Sequence, residues 1–187
     1  MCVSDDLAAH VPADAFEAAD LERIRAFVAA HDRPFDRETL EGHLTASAVI
    51  VAANGSRVLL VHHRRLDRWL QPGGHGELGE VEGWLVALRE ALEETGVVGL
   101  VRHAARPGLL DVDVHRIPAR GDVLAHDHLD LRYLFTAPPD ATLQRCAEET
   151  RDARWFTWEE LATVDLDPAA RRMFGKAQAI VEDGRAR

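Results

Sequence analysis

The chain has 187 residues, 47% of them apolar and 29% charged, which suits one globular domain with a buried core. Its formal net charge of −10 argues against a protein that binds duplex nucleic acid through a cationic surface. We expect a cytoplasmic protein, because the sequence has no apolar run of about 18 residues and its acidic start is unlike a signal peptide. Cys2 and Cys146 are too few for a disulfide framework and lack zinc-ligand spacing, so we interpret both as passive thiols.

The first predicted element is an amphipathic helix over residues 14–31, "DAFEAADLERIRAFVAAH". Asp14 and Glu17 have the spacing of a capping box. The apolar residues on one side of this helix are Phe16, Leu21, Ile24, Phe27 and Val28. We assign residues 1–43 to an N-terminal helical extension, which either covers a sheet edge or contributes to a homodimer.

A β-hairpin is predicted next, in "TASAVIVAANGSRVLLVHH". Two β-branched runs are joined there by Asn54–Gly55, the pair favoured in a type I′ turn. Further strands are predicted over residues 109–117, 128–137 and 153–157.

Three helices are predicted after the hairpin. The first covers residues 83–95 and ends at Gly96 in the left-handed conformation. A short one follows the capping box of Thr157 and Glu160, and the last runs from Asp167–Pro168 to about Glu182. Because strands and helices are mixed rather than regularly alternating, the pattern favours an α+β fold, an α/β/α sandwich, over a doubly wound parallel sheet.

The predicted helix 83–95 has an unusually acidic face. At about 100° per residue, Glu90, Glu93 and Glu94 share one arc, while Trp84, Leu88, Ala91 and Leu92 lie opposite. Like charges at i and i+4 destabilise a helix by a few tenths of a kcal/mol, and the helix C-terminus adds to the repulsion. A bound cation removes this conflict, and carboxylate oxygens suit Mg²⁺ or Mn²⁺.

A glycine-rich stretch, "PGGHGELGE", precedes this helix. Glycines let the backbone approach a ligand closely and supply a carbonyl ligand or amide donors. Arg89 could orient one carboxylate through a forked hydrogen bond. Loop and helix together indicate a site for a metal-bound phosphate ester; the alternative is a solvated acidic helix behind a flexible loop.

The complete string "GGHGELGE…REALEETGV" resembles the Nudix box, the signature of Nudix hydrolases, G-x5-E-x7-R-E-U-x-E-E-x-G-U, where U is aliphatic. Gly74 and Glu80 match its opening, and the residues from Arg89 to Val97 match its second half. One departure is that eight residues, not seven, separate Glu80 from Arg89. This puts the role of Glu80 in question, since Glu82 could replace it; "ELGE" favours Glu80. The hairpin and "ARWFTWEEL" extend the resemblance.

The resemblance implies a Nudix-type α/β/α sandwich with a mixed sheet over residues 44–187. It also implies Mg²⁺-dependent hydrolysis of a pyrophosphate bond in a nucleoside diphosphate linked to another moiety. Glu90 and Glu94 would be the principal metal ligands, Glu93 a further ligand or a water-bridging group, and Gly74 a carbonyl ligand. The catalytic base would be a glutamate of the box, Glu93 or Glu94, or one from a later loop, Glu148 or Glu149.

Candidate substrate-binding residues lie on both sides of the box. Arg64 is one of four arginines near the hairpin, the others being Arg57, Arg65 and Arg68. His75 follows Gly74 directly, and we expect it to line the pocket. Arg132 lies within apolar "LDLRYLF" and either contacts the substrate or pairs with a carboxylate. Trp69 and Tyr133 stack on a nucleobase or belong to the core.

Three alternative functions stay open at this point. His126 and His128 could bind zinc together with His115, or with His62 and His63. The chain could be a catalytically silent Nudix domain that senses a nucleotide, although a sensor has no reason to keep self-repelling glutamates. An isomerase of a diphosphate is the third, but the sequence shows no dedicated catalytic residues for it.

Overall fold

A computed structural model of the protein describes residues 2–144 and 150–185. Its helices are α1 (Val3–Ala9), α2 (Ala15–Ala30), α3 (Gly83–Thr95), α4 (Trp158–Leu161) and α5 (Pro168–Arg185). Its strands are β1 (Gly42–Val51), β2 (Arg57–His63), β3 (Arg68–Leu70), β4 (Gly73–His75), β5 (Val101–Arg102), β6 (Leu109–Ile117), β7 (His126–Thr136) and β8 (Thr150–Thr157). None of the helices described is both long and apolar enough to cross a membrane.

The strands form one mixed sheet around β1 and β7, which pair in parallel along their whole length. Every other pairing is antiparallel: β2 and β4 pair with β1, β5 and β6 with β7, and β3 and β8 with β2. The sheet has an apolar core on each face. Apolar residues of α1, α2 and α3 belong to one core, and those of α4 and α5 belong to the other. The predicted α+β class with a mixed sheet is therefore confirmed.

The N-terminal helices belong to the same core as the sheet. Leu7 of α1 and Leu21 and Ile24 of α2 are buried there. The predicted apolar face of α2 is wrong in one respect, because Phe16 is 82% exposed whereas Glu17 is fully buried. Glu17 accepts hydrogen bonds from His10, from the Ala13 backbone and from Lys176 of α5. Partners brought by the fold thus determine which side of α2 is buried.

The predicted hairpin is present between β1 and β2, with Val51 paired to Val58. Its turn is not of type I′, because that turn needs positive φ at both central residues and Asn54 does not have it. Gly55 has φ 68° and donates its N–H to the Ala52 carbonyl. The connection is therefore longer than the two-residue turn that Asn54–Gly55 predicted.

Helix predictions are confirmed at several ends. The side chain of Asp14 accepts the N–H of Glu17, the capping box of Thr157 and Glu160 opens α4, and Asp167 caps α5. Only half of the capping box predicted at Asp14 forms, because the Glu17 carboxylate binds His10 and the Ala13 backbone instead. Helix α3 spans the predicted residues and ends at Gly96, whose φ is 67°. Leu92, predicted on the buried side of α3, is instead largely exposed.

Candidate active site

The acidic face of α3 lies against strand β4, which the first half of the glycine stretch forms. A Cβ added to Gly74 would lie 2.5 Å from the carboxyl carbon of Glu90, so only glycine allows this approach. The carboxylate of Glu94 is buried and accepts a hydrogen bond of 3.0 Å from the Gly73 backbone N–H. Two of the three glutamates predicted as metal ligands thus converge on one two-residue stretch of backbone.

Arg89 ties the glycine stretch to the acidic helix. Its guanidinium makes a forked pair with Glu80, at 3.1 and 3.0 Å, and donates to the His75 carbonyl at 2.7 Å. It also contacts Glu90 at 3.0 Å and the half-exposed Glu93 at 3.1 Å. Hydrogen bonds from Arg89 hold the pKa of Glu80 below its ordinary value, against the effect of burial.

Glu80 and Glu82, the two candidates for one position of the box, have different partners in the structure. Glu82 lies just before the helix, at its N-cap, and accepts a hydrogen bond from the Trp84 indole N–H. Glu80 makes the forked contact with Arg89. Glu90, Glu93 and Glu94 all lie within α3.

A cavity of about 630 Å³ lies above β4. Gly74, Arg89 and all three glutamates of the acidic face line it. Across from them the cavity is lined by the polar residues Thr45, Ser47, His115, His128 and Asp130. The two sides come from elements far apart in sequence, so the cavity depends on the sheet topology.

A second cavity of similar volume lies between the start of α1, the end of α2 and residues 76–81. Its lining is mainly apolar and includes Val3, Val28 and Phe35. None of the three glutamates of the acidic face lines it, but Glu80 does, and Arg37, Gly76 and Glu77 line both cavities.

Parallel pairing of β1 with β7 builds the polar side of the first cavity. The register places Thr45 beside Asp130 and Ser47 beside Arg132. Both hydroxyls donate to Asp130, Ser47 at 2.9 and 2.7 Å and Thr45 at 3.1 Å. Asp130 is therefore a fixed acceptor at the wall of the cavity.

Arg132 does not line the cavity but lies beneath it, 4% exposed. It pairs with Asp130 at 2.9 Å, Asp113 at 3.1 Å and Asp111 at 3.3 Å. Burial acts to lower the pKa of Arg132, but the three aspartates outweigh it and raise the pKa. Of the two roles predicted for Arg132, the structure shows the carboxylate pairing.

Arg64, Tyr133 and Trp69 were also candidate substrate contacts, and the structure gives each of them a different position. Arg64 is exposed in the turn after β2 and does not line the cavity, whereas its neighbour Arg65 does. Tyr133 is buried and donates its hydroxyl to Asp6 at 3.0 Å, so it belongs to the core. Trp69 packs edge-on against Phe156.

His75 lines the cavity, as predicted, and also belongs to a compact group of histidines. Its Nε2 lies 3.2 Å from Nε2 of His128, and His43 completes the group. Burial lowers the pKa of His43 and of His75 to about 4, and it also lowers the pKa of His128 well below the ordinary value. The three rings are therefore neutral at pH 7.

The predicted zinc combinations are not the group that forms. Within residues 2–144 and 150–185, His43, His75 and His128 are the group of three metal-ligating side chains whose ligand atoms all lie within 4.8 Å of one another. His126 stacks on His43, and His115 packs edge-on against His128. His62 instead contacts Trp69. The predicted catalytic candidates Glu148 and Glu149 lie outside the described residues.

Sequence reasoning missed His43, Thr45, Ser47 and Asp130 as site residues. The available signal was the alternation of polar residues within two apolar strands, H-x-T-x-S on β1 and H-x-D-x-R on β7. Alternating residues share one face of a strand, so each triplet forms one polar stripe.

The NUDIX domain family model matches residues 42–176. An Ap4A hydrolase from C. elegans, solved as a binary complex, is 22% identical over 75% of this chain and 98% of its own, with a TM-score of 0.58. A NUDIX-family hydrolase from Clostridium perfringens is 24% identical over 74% and 97%, with a TM-score of 0.55. The dihydroneopterin triphosphate pyrophosphohydrolase of E. coli is 18% identical over 75% and 95%, with a TM-score of 0.54. No curated protein sequence matches significantly.

These structural matches define the class of the protein as that of the Nudix fold. Because the family model covers well over half of the chain, the chain belongs to the Nudix family. The residues present also fit the hard divalent cation that this family implies. Gly74 leaves room for the Glu90 carboxylate directly against the backbone, and Glu90, Glu93 and Glu94 offer carboxylate oxygens to the cavity.

Proposed function

We propose that the protein hydrolyses a pyrophosphate bond in a nucleoside diphosphate linked to another moiety, with Mg²⁺ or Mn²⁺ as cofactor. The observation that carries this proposal is the contact of Glu90 and Glu94 with the Gly73–Gly74 backbone at the cavity wall. Glu94 and Glu90 are mostly buried and Glu93 is half-exposed. Three carboxylates placed so close together suit a polyphosphate only when a cation is present.

Glu90 and Glu94 would hold the cation, with Glu93 as a further ligand and the Gly74 carbonyl nearby. When bound, such a cation supplies charge neutralisation of the diphosphate and lowers the pKa of a bound water. Arg89 orients the helix relative to the glycine stretch, since it contacts Glu80, Glu90 and the His75 carbonyl. Its forked pair with Glu80 keeps the acidic face in place before substrate arrives.

Hydrolysis needs a carboxylate that takes a proton from the attacking water. Glu93 and Glu94 are the described candidates, and both line the cavity. Glu93 is half-exposed and bonded to Arg89, whereas Glu94 is buried and bonded to Gly73. Glu149 remains our candidate from the later loop.

Cationic side chains at the mouth of the cavity suit the outer phosphates. Arg65 lies on the β2 side and Arg37 follows the N-terminal helices. Both line the cavity, unlike Arg64, so we propose Arg65 and Arg37 as the phosphate-contacting arginines. His75 also lines the cavity and remains a proposed substrate contact.

A panel of substrates tests the proposed reaction. Purified protein with Mg²⁺ should convert at least one nucleoside diphosphate derivative, dinucleoside polyphosphate or pterin triphosphate into two phosphate-containing products identified by mass. A nucleotide sensor would instead bind a panel member with micromolar or better affinity and convert none. That outcome would reject hydrolysis.

Replacing Gly74 by alanine should lower the hydrolysis rate by about 10- to 100-fold, the scale expected when support of a metal ligand is disturbed. The added Cβ would lie 2.5–2.6 Å from all three carboxyl atoms of Glu90, which has little room to move because it is mostly buried. Initial rates at saturating Mg²⁺ measure the effect. As a matched control, Gly175→Ala in α5 meets no atom within 4 Å and should leave the rate unchanged.

A further inference from the structure

The group of three histidines lies beside the acidic face but has different chemistry. We infer that His43, His75 and His128 form a second metal site, one that binds a zinc-class transition-metal ion through three imidazole nitrogens. Imidazole favours Zn²⁺, Cu²⁺ or Ni²⁺, whereas the carboxylates of α3 favour Mg²⁺ or Mn²⁺. This inference does not depend on the proposed hydrolysis.

The spacing of the nitrogens suits a single tetrahedral ion. At Zn–N distances of about 2.0–2.1 Å, two ligands of a tetrahedral zinc lie about 3.3 Å apart. The Nε2 atoms of His75 and His128 are 3.2 Å apart. A nitrogen of His43 lies within 4.8 Å of both, so binding of one ion by all three rings would draw His43 toward the other two.

His43 provides an independent indication of a ligand. It is 3% exposed, yet neither Nδ1 nor Nε2 finds a hydrogen-bond partner among the described residues. Buried polar atoms are nearly always satisfied, so a buried imidazole with two unpartnered nitrogens needs an explanation. Coordination of one nitrogen by a metal ion would satisfy it.

The sheet holds the three rings in place without help from loops. His43 and His128 are register partners on the parallel strands β1 and β7. His75 lies at the end of β4, on the other edge of β1, paired with Thr45. Ligands on rigid strands keep their geometry better than ligands on loops, as a preformed metal site requires.

Neighbouring histidines restrict the orientation of the group. His126 stacks on His43 with ring centroids 5.1 Å apart, and its Nδ1 hydrogen-bonds to the Leu124 carbonyl at 2.9 Å. His115 packs edge-on against His128, and its Nδ1 hydrogen-bonds to Asp113 at 2.9 Å. These ring contacts limit how far the rings of His43 and His128 can turn.

The proposed site opens toward the cavity. His75 and His128 line the cavity, whereas the ring of His43 is buried behind them. Zinc sites that bind water or an exogenous anion have the same arrangement, with three protein ligands and a fourth position facing solvent. A phosphate oxygen of a ligand in the cavity is of the right chemistry for that position.

Zinc binding to untagged protein tests this site, since a histidine tag would itself bind zinc. After chelator treatment, the protein should bind one equivalent of Zn²⁺, measured by elemental analysis after gel filtration, and excess Mg²⁺ should not displace it. His43→Ala and His128→Gln should each weaken zinc binding at least about 100-fold. With Co²⁺ as the probe, the visible absorption of a tetrahedral nitrogen site should appear in the parent protein and vanish in both variants.

Two controls separate this site from the glutamates and from surface histidines. His103→Ala, outside the group, and Glu94→Gln, on α3, should both retain the zinc equivalent. Circular dichroism checks that the variants are folded. If His43→Ala does not fold, His128→Gln tests the proposal alone, because His128 is only half-buried. Equal zinc binding by parent and His128→Gln, no zinc bound, or loss of zinc only in Glu94→Gln would overturn the proposal.

Discussion

Replacing Glu94 by glutamine is expected to lower Mg²⁺-dependent hydrolysis at least about 100-fold. Losing a direct metal ligand should cost at least as much as losing a residue that only supports a ligand, which costs up to about 100-fold. The amide can still accept the Gly73 N–H, so the backbone contact survives. Stability should not fall, because the substitution removes an i, i+4 repulsion with Glu90 worth a few tenths of a kcal/mol. Steady-state rates and thermal unfolding, measured on the same preparation, check both statements.

Glu22→Gln is the matched control, because Glu22 is an exposed helical glutamate that pairs with Arg25 three residues on. It should change neither rate nor unfolding temperature appreciably. If Glu94→Gln turned over at the parental rate, the assignment of the metal to the acidic face of α3 would be wrong.

Replacing Arg132 by methionine is expected to destabilise the protein by roughly 3–5 kcal/mol. Methionine retains much of the buried volume but leaves Asp111, Asp113 and Asp130 without the cation they share. Asp111 keeps Arg172 and Lys176, so its loss is partial, whereas Asp130 keeps only neutral hydroxyl donors in the contacts described. Chemical denaturation at pH 7 measures the free energy of unfolding.

Arg116→Met serves as the comparison, since Arg116 is an exposed arginine of β6 that pairs with Asp127. Exposed ion pairs contribute less than about 1 kcal/mol, so its unfolding free energy should stay within that range. If both variants lost the same free energy of unfolding, the buried ion pairs of Arg132 would contribute no more to stability than an exposed ion pair.

The acidic face of α3 could be predicted because its geometry is local, whereas strand β4 was expected as part of a flexible loop and forms only by pairing with β1. Helix α3, its end at Gly96 and the shared arc of Glu90 and Glu94 all follow from helical spacing within one short segment. The forked contact of Arg89 with Glu80 was within reach for the same reason, since the family pattern places both residues at the loop–helix junction.

The opposite wall of the cavity could not be predicted in this way. His43 meets His128, and Thr45 meets Asp130, only because β1 pairs in parallel with β7 in one particular register. A shift of one residue would turn every side chain of a strand to the other face. A single sequence shows the polar alternation on each strand but not which strands pair.

Tertiary partners also overrode local patterns near the N-terminus. Glu17 is buried because His10 and Lys176 surround it, and Lys176 comes from the last helix. The apolar pattern that favoured burying Phe16 contained no information about these partners. Helix α1 was not predicted, since a seven-residue helix depends on packing, here of Val3 and Leu7 against the core.

Hydrolysis in ¹⁸O-labelled water tests the proposed function most directly. For a substrate that the protein converts in the presence of Mg²⁺, mass spectrometry should find one ¹⁸O atom in one of two phosphate-containing products. That result requires water to attack phosphorus and break a pyrophosphate bond. Label in a product without phosphate, or binding without any turnover across the panel, would contradict the proposed hydrolysis.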